Sequence, residues 1–288
     1  MGKVETTLGR ARATGRPILV GYVTGGIRED WTDLLAAMAG GGADAVEIGL
    51  PFSDPMLDGP VIQEASAAAI ARGANVAGLL ARVRETVACD VPLIAMTYAN
   101  HAYSRGVGRY CRDLADAGIS GTIIPDLPAG ECDEYLGAAR DAGLDATLMV
   151  TPATPDEQIR AIAGRSRGFL YVMSVMATTG PAGERDDTRG WAVAARARRH
   201  SGPRPVLIGF GIDTPDRAAA AARQADGVVV ASALMRRVLD GASAADIGRE
   251  VAALRTALDN TALDNTALDN TALDNTALDA AAPAAADR

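Results

Sequence analysis

Three carboxylates share one short stretch, EIGLPFSDPMLDGP (47–60): Glu47, Asp54 and Asp58. Glu47 follows Asp44, Ala45 and Val46 in a run that reads as a buried strand. Pro51, Pro55 and Pro60 stiffen the loop that carries the two aspartates. A buried carboxylate is costly unless it is paired or used. If Glu47 projects into a low-dielectric site, its pKa rises and it can shuttle a proton near neutral pH. Asp58, on the following loop, can stay ionised and accept a hydrogen bond from a substrate N–H or O–H. Two carboxylates in unlike surroundings can divide acid and base roles. The plainer readings stay open at this level: Glu47 as a satisfied polar residue beneath a helix, and Asp54 and Asp58 as turn residues beside prolines.

Other chemistries lack the groups they need. Lys3 is the only lysine, in what reads as an N-terminal tail, whereas an imine mechanism needs a buried amine. The two histidines, His101 and His200, belong to no cluster with zinc-ligand spacing, so no metal is expected. No serine sits in a nucleophile-elbow setting, and neither a G-x-G-x-x-G nor a P-loop follows the first apolar run. Cys89, Cys111 and Cys132 are odd in number and irregularly spaced, and read as reduced thiols.

The 288-residue chain is 48% hydrophobic, enough for one substantial core, with a net charge of −8. Six aspartates against Arg288 follow Arg255, so the remainder is only mildly acidic. That balance argues against nucleic acid and anionic membranes as partners. No apolar run reaches the roughly 18 residues of a membrane span. The N-terminus shows no apolar signal-peptide region, and its MGKVET match to a myristoylation pattern is too short to carry weight. A cytoplasmic location is expected.

The elements that must position these residues follow a repeating pattern: a helical stretch, a glycine, then a β-rich run. Strands are expected at 18–23, 44–49, 92–98, 120–124, 145–150, 168–173, 205–209 and 227–231. Helices are expected near 30–40, 61–86, 106–117, 131–142, 155–163, 188–200, 214–224 and 232–254. Eight β/α units predict a (β/α)8 TIM barrel over residues 1–255, with a doubly wound open sheet as the alternative. Both folds place function at the C-terminal ends of their strands. GFGI (209–212) after the seventh strand and ASAL (231–234) opening a helix after the eighth suit a phosphate cradle, a plain turn being the alternative for GFGI. The long polar stretch 174–190 suits a lid. From 256 to 288 the chain repeats TALDN, and a five-residue period turns successive leucines by about 140° on a helix. That tail is expected to be disordered or a helical extension.

EIGLPFSDPMLDGPVIQ resembles the signature of the tryptophan synthase alpha chain family, E-[LI]-G-x-P-[FY]-S-D-P-x-x-D-G-P-x-I-Q. MTYAN (96–100), PDLP (125–128) and GFGI fit as well, and the likeness spans roughly 16–250. The resemblance implies a (β/α)8 barrel that cleaves indole-3-glycerol phosphate to indole and D-glyceraldehyde 3-phosphate. It implies Glu47 as the general acid/base, Asp58 beside the indole N–H, and Tyr171 near the glycerol moiety. Tyr22, Ile62 and Tyr98 match positions of the indole pocket; Gly180, in the lid, together with Gly211, Ala231 and Ser232, matches the phosphate-binding positions, and Thr179, also in the lid, matches a substrate-binding position. Asp54, Asn100 and Pro128 match the face that docks on a beta chain in a heterotetramer of two alpha and two beta chains. The family's pyridoxal phosphate belongs to that beta chain, so no cofactor is expected here. The alternatives are a stand-alone indole-producing lyase and a non-catalytic barrel that binds indole compounds and regulates a beta partner. The chain departs from the pattern at Ala231-Ser232 (usually Gly-Ser), at Ala177-Thr178-Thr179-Gly180 in the lid, at Gly21 (commonly Pro) and at Ala99.

Overall fold

In the computed structural model, which describes residues 2–86, 89–173, 188–209 and 211–261, eight parallel strands close into a barrel in chain order. They are β1 (Ile18–Thr24), β2 (Ala45–Gly49), β3 (Leu93–Met96), β4 (Gly121–Ile123), β5 (Asp145–Val150), β6 (Leu170–Met173), β7 (Val206–Gly209) and β8 (Gly227–Val230). Pairing of Ile18 with Gly227 and of Gly21 with Val230 joins β8 to β1 and leaves no open edge. The expected (β/α)8 barrel is the observed fold, and the open-sheet alternative is ruled out by this closure. The third strand, expected over 92–98, spans Leu93–Met96, and Tyr98, still extended, leads into the next helix.

The surrounding helices are α1 (Lys3–Ala13), α2 (Trp31–Gly40), α3 (Pro60–Ala71), α4 (Val76–Thr86), α5 (Ala99–Ser104), α6 (Val107–Asp116), α7 (Asp133–Asp141), α8 (Asp156–Arg165), α9 (Thr188–His200), α10 (Pro215–Ala222), α11 (Ser232–Leu239) and α12 over residues 244–261. The single helix expected over 61–86 is two, separated at Gly73, whose φ of 87° favours glycine. The N-terminal segment is not a tail. Val4, Leu8 and Ala11 of α1 are buried against Ile18, Ile94 and Phe169, so this helix closes the barrel floor. Its apolar positions are sparse among charged neighbours, which hides the pattern in sequence.

Alternation sorts each strand. Val20 of β1, Ala45 of β2, Tyr171 of β6 and Phe169 just before β6 share the interior cluster with α1, whereas Leu19, Val46 and Val172 pack outward under the helices. Tyr22 and Glu47, two residues beyond Val20 and Ala45, therefore continue the inward rows toward the C-terminal mouth. At the opposite end, the carboxylates are occupied by structural partners. Asp44 accepts from the Leu19 amide at 2.9 Å and pairs with Arg16 and Arg255. Asp145 accepts from the Glu5 amide at 2.9 Å, and Asp226 from the Val206 amide at 2.8 Å.

The boundary expected at residue 255 falls inside α12. Ile247, Val251, Leu254, Leu258 and Thr261 recur at helical spacing and are all buried. The first TALDN repeat thus packs on the barrel, while Arg255 reaches the Pro17 carbonyl at 2.8 Å and pairs with Asp259 at 2.7 Å. Glycines permit this contact: a Cβ at Gly41 would meet the Gly248 carbonyl and Val251. Leu258→Ala should cost about 2–5 kcal/mol, read as a lower urea midpoint at unchanged slope.

Candidate active site

The mouth of the barrel gathers Glu47, Tyr22 and Tyr171 from β2, β1 and β6, with Asp58 from the β2–α3 loop and Tyr98 from the start of α5. Tyr22 stands opposite Glu47 in the β1–β2 register, so both side chains leave the sheet on the same face. Glu47 is 1% exposed and its Oε2 has no hydrogen-bond partner. Burial, then the nearby Asp58, pushes its pKa up from 4.5 to about 8. A buried acceptor with nothing to bind is the feature that a purely structural role for Glu47 would not produce.

Asp58 behaves differently because it sits on a loop. Its backbone is fixed by a turn, Asp58 N–H to the Pro55 carbonyl at 3.0 Å, and by Gln63 Nε2 donating to its own carbonyl at 2.9 Å. Gly59 and Pro60 then open α3. Burial raises the Asp58 pKa to about 6, opposed by a hydrogen bond donated from the Tyr98 hydroxyl at 3.2 Å. Near pH 7 the deeper Glu47 holds its proton and Asp58 is ionised. The site is thus a neutral acid facing an anion.

Two glycines make room for the tyrosines. A Cβ at Gly49 would overlap the Tyr22 hydroxyl, and one at Gly209 would overlap the ring and hydroxyl of Tyr171. Burial, with the two carboxylates adding to it, holds both phenols protonated far above neutral pH. Gly49→Ala must displace Tyr22 from the mouth. The expected result is a stability loss of about 1–3 kcal/mol by thermal unfolding, together with loss of substrate turnover.

Ile62 is buried in the first turn of α3. On the far side of the mouth, Gly211 has a φ of 79°, a backbone only glycine adopts freely. Ala231 precedes α11 without capping it through a side chain, and Ser232, its first residue, is exposed. The alanine has a φ of −117°, so replacing glycine there costs no left-handed strain. Thr179, Gly180 and most of the expected lid lie outside the described residues, as does Phe210 of GFGI. Asp54 and Pro128, on the loops after β2 and β4, and Asn100, in the first turn of α5 after β3, are exposed around the same rim. Met56, which the motif reading does not single out, is 79% exposed among them.

The residues left out of the candidate set are also accounted for. Lys3 is exposed on α1, at the floor and far from the mouth. His101 is tied through Nδ1 to Thr97 Oγ1 at 2.8 Å, and burial lowers its pKa. His200 lies 3.7 Å from Asp156 at the end of α9. Among the described residues, no group of three or more His, Cys, Asp or Glu could hold a metal ion, and no helix is long and apolar enough to cross a membrane. Sequence reasoning missed Gln63, Phe52 and the two glycines. Gln63 and Gly49 stand inside or beside the quoted motif, but their contacts depend on how the loop folds back.

The family model for the tryptophan synthase alpha chain matches residues 8–264. A tryptophan synthase alpha chain from Geobacter sulfurreducens is 39% identical over 267 residues, 90% of this chain and 100% of its own length. One from Acidiphilium cryptum is 41% identical over 253 residues, covering 85% of this chain and 89% of its own. Among solved structures, a tryptophan synthase from M. tuberculosis superposes with a TM-score of 0.80 at 30% identity, covering 90% of this chain and 98% of that one. With the motif around Glu47 and Asp58 folded into a barrel mouth and identity of this order along nearly the whole length, the chain belongs to the tryptophan synthase alpha chain family.

Proposed function

We propose that this chain cleaves indole-3-glycerol phosphate to indole and D-glyceraldehyde 3-phosphate, as the alpha subunit of tryptophan synthase in tryptophan biosynthesis. The observation that carries the reading is the unpartnered Oε2 of buried Glu47, set beside Asp58 in a mouth to which the one lysine of the chain, Lys3 on the floor helix, does not belong. Breaking a carbon–carbon bond next to a hydroxyl normally needs an imine or a metal to accept the electrons. The indole ring can serve instead. Glu47 donates its proton to ring carbon three, which turns the ring into an indolenine cation. Asp58 stabilises that charge at the ring nitrogen. The glycerol hydroxyl then gives its proton to the Glu47 carboxylate as the carbon–carbon bond breaks. Its electrons flow to the ring nitrogen, the aldehyde forms, and Glu47 is again an acid.

Tyr171 contacts the glycerol chain in this reading, and Tyr22, Ile62 and Tyr98 enclose the ring. Backbone N–H groups at Gly211 and at the start of α11, beside Ala231 and Ser232, receive the phosphate, with Thr179 and Gly180 contributing from the lid. The rim bearing Asp54, Asn100 and Pro128 docks on a beta chain in a heterotetramer of two alpha and two beta chains. The pyridoxal phosphate belongs to the beta chain, and this chain works without a cofactor, in the cytoplasm. Nothing at the site favours a stand-alone lyase or a non-catalytic barrel.

The test is indole release from indole-3-glycerol phosphate by the purified chain, alone and with a beta chain. Release that rises on adding the beta chain supports the whole reading. No release in either case overturns it.

A further inference from the structure

We infer that Tyr98 is a positioning residue that acts through Asp58: its hydroxyl aims the carboxylate into the mouth. This rests on the reaction proposed above. The hydroxyl has two partners on that turn. It accepts from the Leu57 amide at 3.0 Å and donates to Asp58 Oδ2 at 3.2 Å. Because the Leu57 N–H occupies the oxygen as a donor, the single phenolic proton is directed at the carboxylate. An amide–phenol–carboxylate chain of this kind polarises along its length, so each bond strengthens the other.

The ring is braced from behind. Tyr98 stacks on Phe52, with centroids 5.2 Å apart and planes 24° off parallel. Phe52 meets His101 edge-on at 5.2 Å. His101 in turn bonds Thr97, and the Ala99 amide donates to Asp126 Oδ1 at 2.8 Å. The start of α5 is thereby fixed to loops after both β2 and β4. The Asp58 backbone has its own anchors at Pro55 and Gln63, whereas its side chain is oriented from Tyr98. Removing the hydroxyl should leave the turn in place and let the carboxylate swing.

Asp58 is faced by Glu47 from β2, Tyr22 from β1, Tyr171 from β6 and Tyr98 from α5. Burial and then Asp58 hold the Tyr98 phenol protonated well above its ordinary range, so it is a donor throughout the working pH. Its hydrogen bond is the influence that opposes the burial of the Asp58 charge. Without it, Asp58 should take up its proton at higher pH.

Tyr98→Phe keeps the ring and its stack and deletes only the hydroxyl. Three results are expected. At pH 7.5 kcat should fall about tenfold or more, as for loss of a hydrogen bond to a charged group, with KM changed much less. The acid limb of the kcat/KM profile should move to higher pH. In an Asp58→Asn background the same substitution should add almost nothing, since the two act as a unit. Full multiplication of the two effects, or an acid limb that does not move, overturns the inference. A second measurement is independent of turnover: carbon-13 NMR titration of the Asp58 carboxyl in the wild type and in Tyr98→Phe. An upward displacement supports the inference and an unmoved titration overturns it. If the wild type releases no indole while the titration moves, the proposed reaction fails and the hold of Tyr98 on Asp58 stands.

Discussion

Glu47→Gln should reduce indole release by about a thousandfold or more, the size expected when a general acid that also serves as the base is lost. The amide matches the carboxyl in shape but cannot give or take the proton. Binding of a non-cleavable indole phosphate, measured by calorimetry, should be nearly unchanged, because the amide keeps the shape of the carboxyl and the proposed phosphate cradle at Gly211 and the start of α11 does not use the Glu47 side chain. The same substitution makes a stability prediction with a definite sign. The Glu47 pKa is about 8 in the folded protein against an ordinary 4.5. The folded state therefore holds a proton that the unfolded chain has already released, and stability is lost as pH rises from about 4.5 through about 8. Glutamine has no such loss. Glu47→Gln should melt higher than the wild type at pH 9, with the difference shrinking below pH 5. A thermal series showing no pH-dependent gap would mean that Glu47 is not desolvated. Wild-type turnover by the Glu47→Gln variant would remove the proton shuttle altogether.

Asp58→Asn should cost about a hundred- to a thousandfold in kcat/KM, comparable to deleting a preorganised electrostatic partner of a transition state. The amide oxygen can still accept from Tyr98, but the negative charge opposite the ring nitrogen is gone. The pH profile separates this from a misfolded site. The wild type should work best between the two titrations. Below about pH 6 Asp58 takes up a proton and loses its charge, and above about pH 8 Glu47 gives its proton away. Asp58→Asn should remove the acid limb. It should also move the basic limb to lower pH, because Asp58 is one of the two causes that raise the Glu47 pKa. An acid limb that survives in the variant would assign it to another group and take Asp58 out of the mechanism.

Much of this site is legible in the sequence because its chemistry is compressed into one motif. Glu47, Asp58 and the prolines between them occupy a single stretch, and the alternation of a parallel strand needs one fixed point to orient every second side chain. The barrel is legible for a related reason: eight apolar runs, each preceded by a glycine or short turn, leave few ways to bury both faces of a sheet. Contacts between distant segments stay hidden. Gly49 reads as an ordinary motif glycine until the Tyr22 hydroxyl is found in the space where its side chain would be, and the same holds for Gly209 and Tyr171. Helix α1 reads as a tail because Val4, Leu8 and Ala11 look too few to be a core face. They suffice because the barrel floor already supplies Ile18, Ile94 and Phe169. In the same way, the first TALDN repeat looks identical to the others, yet Leu258 is buried because α12 reaches it while still in phase with Val251 and Leu254.

Residue types and their spacing along single segments were enough to set the order of the eight strands and the lack of a lysine anywhere beyond residue 3, but they left open which way Glu47 points. Which carboxylate keeps its proton was settled by folding in three dimensions. That outcome depends on the depth to which water is excluded and on a phenol delivered from another strand's loop, and neither quantity exists until the barrel has closed.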